Sequence, residues 1–224
     1  LVVTRDGGKS WNSITSNLPK SNFVWTIVED HLNPNLLFVG TEFGMFYSLD
    51  AGSNWSKFKN VPTIPIRDLE IHEGEDDLVA ASFGRGFYIV DDYSPLREYS
   101  KPIESKVAHL FSVKSSYQYI VAAPEKTATG HNFFTSPNPP YGVKLSYYLG
   151  NSVQSKFEKR QRAESNKFKR GEIIDYPTAE KLEAEAKEKT PKIYLTITDS
   201  EGEVVRRISS NKNRISNITF ISVF

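Results

Sequence analysis

The chain contains no cysteine. That absence removes disulfides, cysteine metal sites and thiol catalysis together, and it leaves the redox compartment open. A dominant charge is also missing. The 28 Lys and Arg stand against 27 Asp and Glu, so no global field argues for nucleic acid or a membrane surface. No apolar run reaches the roughly 18 residues needed to span a bilayer. No Walker or Rossmann glycine pattern is present. The "GRG" at 84–86 is too short to cradle a phosphate and sits between predicted strands. The histidines (His31, His72, His109, His131) are scattered, without HxH, HxxxH or HExxH spacing, so neither metal nor cofactor is predicted. The opening "LVVTRDGGKS" lacks the basic start and apolar core of a signal peptide, and it lacks an initiator Met. It reads as a strand running into a turn, which predicts a chain that begins inside a domain of something longer.

The 224 residues present suffice for one or two domains, and 38% hydrophobic and 12% aromatic content suits a folded core. Their most specific signal is a repeat. "TRDGGKSW" (4–11) and "SLDAGSNW" (48–55) both read Ser/Thr-x-Asp-x-Gly-x-x-Trp. Asp6 and Asp50 are 44 residues apart, and a degenerate third copy, "GFYIVDD" (86–92), places Asp92 a further 42 residues on. That copy loses its glycine and tryptophan and continues "DYSPLREY". Between the marks lie short strand-like runs: "FVWTIVE" (23–29), apolar on both faces as in a doubly covered strand, then "LLFVG", "MFYSL" and "WSKF". "IRDLEIH", "LVAAS" and "GFYIV" follow. Four short strands per 42 to 44 residues match the period of a β-propeller blade.

Each residue of the repeated motif has a structural task. The Asp carboxylate is expected to accept a backbone N–H two residues on. The glycines Gly8 and Gly52 supply left-handed backbone. Trp11 and Trp55, on the outgoing strand, are expected to pack over the turn. A catalytic Asp has no reason to recur once per blade, so Asp6 and Asp50 read as fasteners.

The motif resembles the Asp-box, or bacterial neuraminidase repeat. The phrases "NPNLLFVGTEFGMFYSLDAGSNW" and "LVAASFGRGFYIVDDYSPLREY" resemble the sortilin-like Asp-box propeller proteins of bacteria, which are often labelled glycosyl hydrolases. The likeness continues through "NPPYGVKLSYYLG" and "IYLTITDSEGEVVRRI", so it covers nearly the whole chain. It implies a mainly β fold at 1–100, the last blades of a propeller, about two and incomplete. A connector at 101–142 follows, then a partial immunoglobulin-like sandwich at 143–224. It also implies an extracellular or periplasmic location and an Asp-box on the blade rim, away from the central cavity. The likeness lapses at "NRISNITFISVF", where the family's Trp-Asp-Leu ending is missing, which predicts a truncated or altered C-terminus.

Within the second part, "TSPNPPYG" reads as a proline-fixed extended stretch and "VKLSYYL" (143–149) as a strand. "KIYLTITDSEGEVVRRI" reads as a hairpin turning at Asp199 and Gly202. A charged insertion at 151–190 separates them. Residues 151–170 carry net charge +5 and residues 171–190 net −3, and "TAEKLEAEAKEK" (178–189) is built of helix formers with Glu183/Lys187 and Glu185/Lys189 at i,i+4. A solvated helical pair of complementary charge is the expectation. A nucleic-acid arm is disfavoured by the acidic block beside it.

Two places carry candidate ligand chemistry. Arg85, between two glycines, either points into a propeller cavity to grip a carboxylate or sugar, or pairs with Asp91 or Asp92 to tie down the last blade. Asp68 and Glu70 share one face of "IRDLEIH". They stand about 7 Å apart but aim the same way, which flanks a glycosidic bond poorly. Two functions therefore remain. One is a binding or scaffold module for a peptide, protein or glycan, docked on the remaining blades of its parent. The other is a fragment of a sialidase-like or endo-glucanase-like glycoside hydrolase.

Overall fold

A computed structural model describes residues 1–59, 61–116, 142–150, 154–189, 191–210 and 218–223, the last segment and Ser210 by backbone alone. The "TSPNPPYG" stretch and His131 lie outside the described residues. The chain divides into two units, Leu1–Ser105 and Lys106–Phe224.

The first unit is a succession of antiparallel meanders. Strands β1 (Val2–Val3) and β2 (Asn12–Ser13) pair across the first repeat motif. Strands β3 (Val24–Glu29), β4 (Leu37–Thr41), β5 (Gly44–Ser48) and β6 (Ser56–Lys57) form a sheet in sequence order, with the second motif between β5 and β6. Strands β7 (Ile66–His72), β8 (Asp77–Ser82) and β9 (Phe87–Val90) form a three-stranded sheet. A fourth strand does not follow. The degenerate third motif has no glycine after Asp92, and Pro95 presets a helical φ. The chain therefore turns into two short helices, α1 (Pro95–Glu98) and α2 (Lys101–Glu104).

The core centres on β4, every residue of which is buried. This is the strand covered on both faces. The expectation that residues 23–29 would be so covered is corrected: β3 alternates half-buried and exposed positions, with Trp25 and Ile27 exposed. On one side of β4, Leu37 and Val39 join Leu18, Phe46 and Trp55 in an apolar cluster. On the other, Phe38 meets the edge of Tyr93 at 5.0 Å between ring centres. Here β7 packs against β3 and β4. The approach is closest at Gly40, where a Cβ would stand 2.8 Å from the Ile66 carbonyl oxygen.

Among its described residues the second unit holds two small antiparallel sheets. Strand β10 (Ala108–Leu110) pairs with β11 (Val143–Leu149), which pairs in turn with β14 (Ile218–Val223). Strands β12 (Ile193–Thr198) and β13 (Val204–Ser210) form the predicted hairpin. Its turn closes through Gly202 N–H donating to the Asp199 carbonyl at 3.2 Å, while the Asp199 carboxylate accepts from Glu201 and Glu203 N–H. Helices α3 (Lys156–Lys169) and α4 (Ala179–Ala186) occupy the charged insertion. Ser155 and Glu158 cap α3 reciprocally, and Thr178 caps α4. Glu183 pairs with Lys187 as the spacing predicts. Glu185 does not serve Lys189. It takes a two-pronged bond from Arg160 at 2.7 and 2.9 Å, which joins the basic helix to the acidic one. The Arg160 fork holds the Glu185 carboxyl below its ordinary value.

Candidate functional site

The two repeat motifs build the same turn, bond for bond. In the first, the Thr4 hydroxyl donates to Asp6 Oδ1 at 2.9 Å and accepts Gly8 N–H at 2.8 Å. Asp6 Oδ1 also accepts Ser10 N–H at 2.9 Å, and Oδ2 accepts the Ser10 hydroxyl at 2.6 Å. In the second, Ser48 donates to Asp50 Oδ1 at 2.8 Å and accepts Gly52 N–H at 2.8 Å. Asn54 then serves Asp50 through N–H and Nδ2, each at 2.7 Å. The expected reach of the carboxylate is thereby corrected. It accepts the N–H four residues on, while the Ser/Thr hydroxyl takes the glycine N–H. Gly8 and Gly52 sit at φ of 92° and 86°, where glycine carries no Cβ clash.

Both oxygens of each carboxylate are occupied. The Ser10 hydroxyl, then Ser10 N–H and Thr4, bring the Asp6 carboxyl down to about 2. At Asp50, burial alone would raise the carboxyl, and the Asn54 and Ser48 bonds outweigh it and lower the value. Both are ionised turn acceptors near neutral pH.

The two tryptophans differ. Trp55 is 4% exposed and Trp11 61%. Trp55 is held by the segment that follows β2. Its Nε1 donates to the Ile14 carbonyl at 2.7 Å, and the Asn17 amide brackets its backbone, accepting Trp55 N–H at 2.7 Å and donating to its carbonyl at 2.8 Å. Gly52 abuts Ile14, so the second motif docks on the segment that follows β2.

Asp68 and Glu70 lie on one exposed face of β7, as alternation predicts. Asp68 accepts the N–H of Leu69 at 3.0 Å. Arg85 is exposed at the tip of the β8–β9 turn, between Gly84 and Gly86 at φ of 77° and 73°. Its proposed pairing with Asp91 or Asp92 is corrected, because those residues follow the far end of β9. Asp92 instead binds Asp77 through its N–H and the Ser94 hydroxyl through its carboxylate.

The arginine that ties the last sheet down is Arg97, which the sequence reading passed over. Its Nε donates to Asp30 Oδ2 at 2.8 Å, and its Nη2 donates to Asp30 Oδ1 at 2.6 Å and to Asp76 Oδ1 at 2.7 Å. Tyr93 adds its hydroxyl to Asp30 at 2.6 Å. His31 stands between the two carboxylates, with nitrogen to oxygen distances of 3.7 and 3.6 Å. Burial raises the Asp30 carboxyl, but bonds from Arg97, Tyr93 and Asn33 prevail and hold it at about 2. The cluster joins the β3–β4 loop, the β7–β8 turn and α1.

A second constellation was also missed. Trp25 and Arg67 are the extra residues of two β-bulges, one in β3 and one in β7. A bulge re-aims its side chain, and here both turn to the same place. The Arg67 guanidinium lies 3.5 Å from the Trp25 ring centre and 5.1 Å from that of Phe83. The indole is fixed by Nε1 donating to Glu42 Oε2 at 2.8 Å. Ser21, Phe23, Trp25, Glu42, Phe43 and Arg67 line a shallow, open cleft of about 390 Å³. The flanking turns match: Thr41 Oγ1 donates to the Gly44 carbonyl and Ser82 Oγ to the Gly86 carbonyl. Phe43 and Phe83 are exposed on these turns, and Arg85 shares the second. The available signal was the 42-residue interval from Trp25 to Arg67, the same as from Asp50 to Asp92.

No protein-family profile, curated protein or solved structure matches the chain.

Proposed function

We propose that the chain is a non-catalytic binding or scaffold part of a larger extracytoplasmic β-propeller protein of Asp-box type. Its ligand would be a peptide, protein or glycan held without turnover. The observation that carries this reading is the makeup of the Trp25–Arg67 cleft. It offers aromatic surface and a cation, and its lining holds a single carboxylate, Glu42, already engaged by the Trp25 indole. Glycoside hydrolysis by the common route needs two carboxylates facing across a sugar. Asp6 and Asp50 spend their oxygens on turns, and Asp68 and Glu70 share one face of a strand.

The propeller reading is supported by the bond-for-bond repetition of the turns, the four-stranded meander β3–β6, and the face-to-face approach of the next sheet at Gly40. Trp55 reaching back to Ile14 and Asn17 is the contact expected between neighbouring blades. Trp11, its counterpart, would find its own partner on a preceding blade. The two small sheets of the second unit are read as part of an immunoglobulin-like sandwich.

The test is to offer the protein aryl-glycosides and polysaccharides and, in parallel, immobilised peptide and glycan arrays. Retention without hydrolysis, lost in Trp25→Ala, is expected. Hydrolysis that disappears in Asp68→Asn or Glu70→Gln would establish the glycosidase instead.

A further inference from the structure

We propose that the Trp25–Arg67 cleft recognises the side-chain carboxylate of an acidic residue in a peptide segment, with a neighbouring apolar side chain seated among Phe23, Phe43 and Phe83. This rests on the binding-module reading and names its ligand.

The cation is prepared for a planar anion. Arg67 sits on a bulge, and its guanidinium carbon stands over the Trp25 ring, 3.5 Å from the ring centre. The ring is fixed in turn by its bond to Glu42 and by Phe23 at 6.3 Å. Stacking uses the face of the guanidinium and leaves its N–H edge. Among the described residues, no group accepts a hydrogen bond from that edge. A fork of parallel N–H donors matches a carboxylate in bidentate fashion. Arg85 is exposed on the same turn as Phe83.

The surroundings favour a peptide over a carboxylated sugar. A sugar presents a hydroxyl at nearly every carbon, and each one that is turned into the cleft away from water needs a polar partner. Besides Arg67, the lining offers the Ser21 hydroxyl and what remains of Glu42. One face of the Trp25 ring, the usual stacking platform, is already covered by the guanidinium. Exposed phenylalanines instead suit an aliphatic or aromatic side chain beside the acid. A phosphate group would call for a cluster of arginines, whereas a single fork lies in the cleft.

The test uses the indole N–H resonances of the ¹⁵N-labelled full chain, which has three tryptophans. Trp11→Phe and Trp25→Phe assign them. The probes are acetyl-Phe-Glu-Phe-amide, its Gln analogue, and methyl glucuronide. The Glu peptide is expected to shift the Trp25 signal saturably, at roughly tenfold lower concentration than the Gln peptide. Arg67→Ala should erase that difference. Arg67→Lys, which keeps the charge and loses the fork, should erase most of it. The Trp55 signal, from a buried ring bonded to Ile14, reports folding in every variant. Equal titration by the two peptides, preference for the glucuronide, or an unchanged response in folded Arg67→Lys and Arg67→Ala would overturn the assignment. Those results would leave the binding-module reading standing. Only glycoside hydrolysis by the same protein overturns that.

Discussion

Arg97 and Asp30 are 67 residues apart in sequence and meet in a two-pronged ion pair. The Asp30 side chain is fully buried and that of Arg97 nearly so, with side-chain exposures of 0% and 14%. Removing one partner strands a charge in a place that water does not reach. Arg97→Ala is expected to cost about 3–5 kcal/mol in urea unfolding. Because Arg97 also holds the buried Asp76, replacing Arg97, Asp30 and Asp76 together by Met, Leu and Leu should cost far less than Arg97→Ala alone. If the triple variant is as unstable as Arg97→Ala, the cost is lost packing and the charge argument fails.

The two repeat motifs make the same turn bonds, yet they should respond unequally at their tryptophans. Asp50→Ala is expected to cost about 1–2 kcal/mol through lost turn acceptors. Trp55→Ala should cost about 3–5 kcal/mol, because it empties the space among Leu18, Leu37, Val39 and Phe46. Trp11→Ala, at an exposed position, should stay within about 0.5 kcal/mol. Denaturant midpoints for the three variants decide this, and equal losses at Trp11 and Trp55 would contradict the placement of Trp55.

The turn carboxylates set an acid limit. Asp6 and Asp30 titrate at about 2 in the folded chain, against about 3.9 when unfolded. A carboxyl depressed by folding binds fewer protons folded than unfolded. Its stabilisation is therefore complete above about pH 4 and is lost as pH falls through about 2. Melting temperatures from pH 5 to pH 2 should drop mainly below pH 4. Asp6→Asn, on the exposed turn, should flatten part of that drop. An unchanged slope in the variant would remove Asp6 from the account.

Gly40→Ala probes the contact between sheets. The new Cβ would meet the Ile66 carbonyl oxygen at 2.8 Å and Thr26 Cγ2 at 2.8 Å. The first of these is backbone, which cannot step aside like a side chain. A loss of about 1–3 kcal/mol is expected. A neutral result would mean that the two sheets part easily there.

Arg85 gives the opposite expectation. It is exposed and stands at the other end of β9 from Asp91 and Asp92, so Arg85→Ala should change stability by less than about 0.5 kcal/mol. A clear drop in melting temperature would revive the idea that it fastens the last sheet.

How far the sequence could be read follows from the range of each interaction. The turns were legible because every bond in them spans four residues or fewer, and Thr, Asp, Gly and Ser carry that chemistry wherever they stand. The helical pair was legible for the same reason. The difference between Trp11 and Trp55 was not, since identical motifs differ only in what chain lies behind them. Arg97 was opaque because its partners come from separate loops and follow no period. The cleft was hidden by the bulges. Strict alternation along "IRDLEIH" drew attention to Asp68 and Glu70, while the extra residue that breaks it, Arg67, is the one turned toward Trp25.

The amide of Asn17 is made 38 residues before the Trp55 backbone that it brackets. At ribosomal rates of about 5–20 residues per second, that interval lasts roughly two to eight seconds. Throughout it the β1–β2 hairpin, with two residues in each strand, has no second motif to lean on. A hairpin so short is not stable by itself. The pace of synthesis between Asn17 and Trp55 therefore decides how long a nascent edge stays open to pairing with another emerging chain. Slow codons in that stretch would act on the yield of folded protein while leaving its final stability untouched.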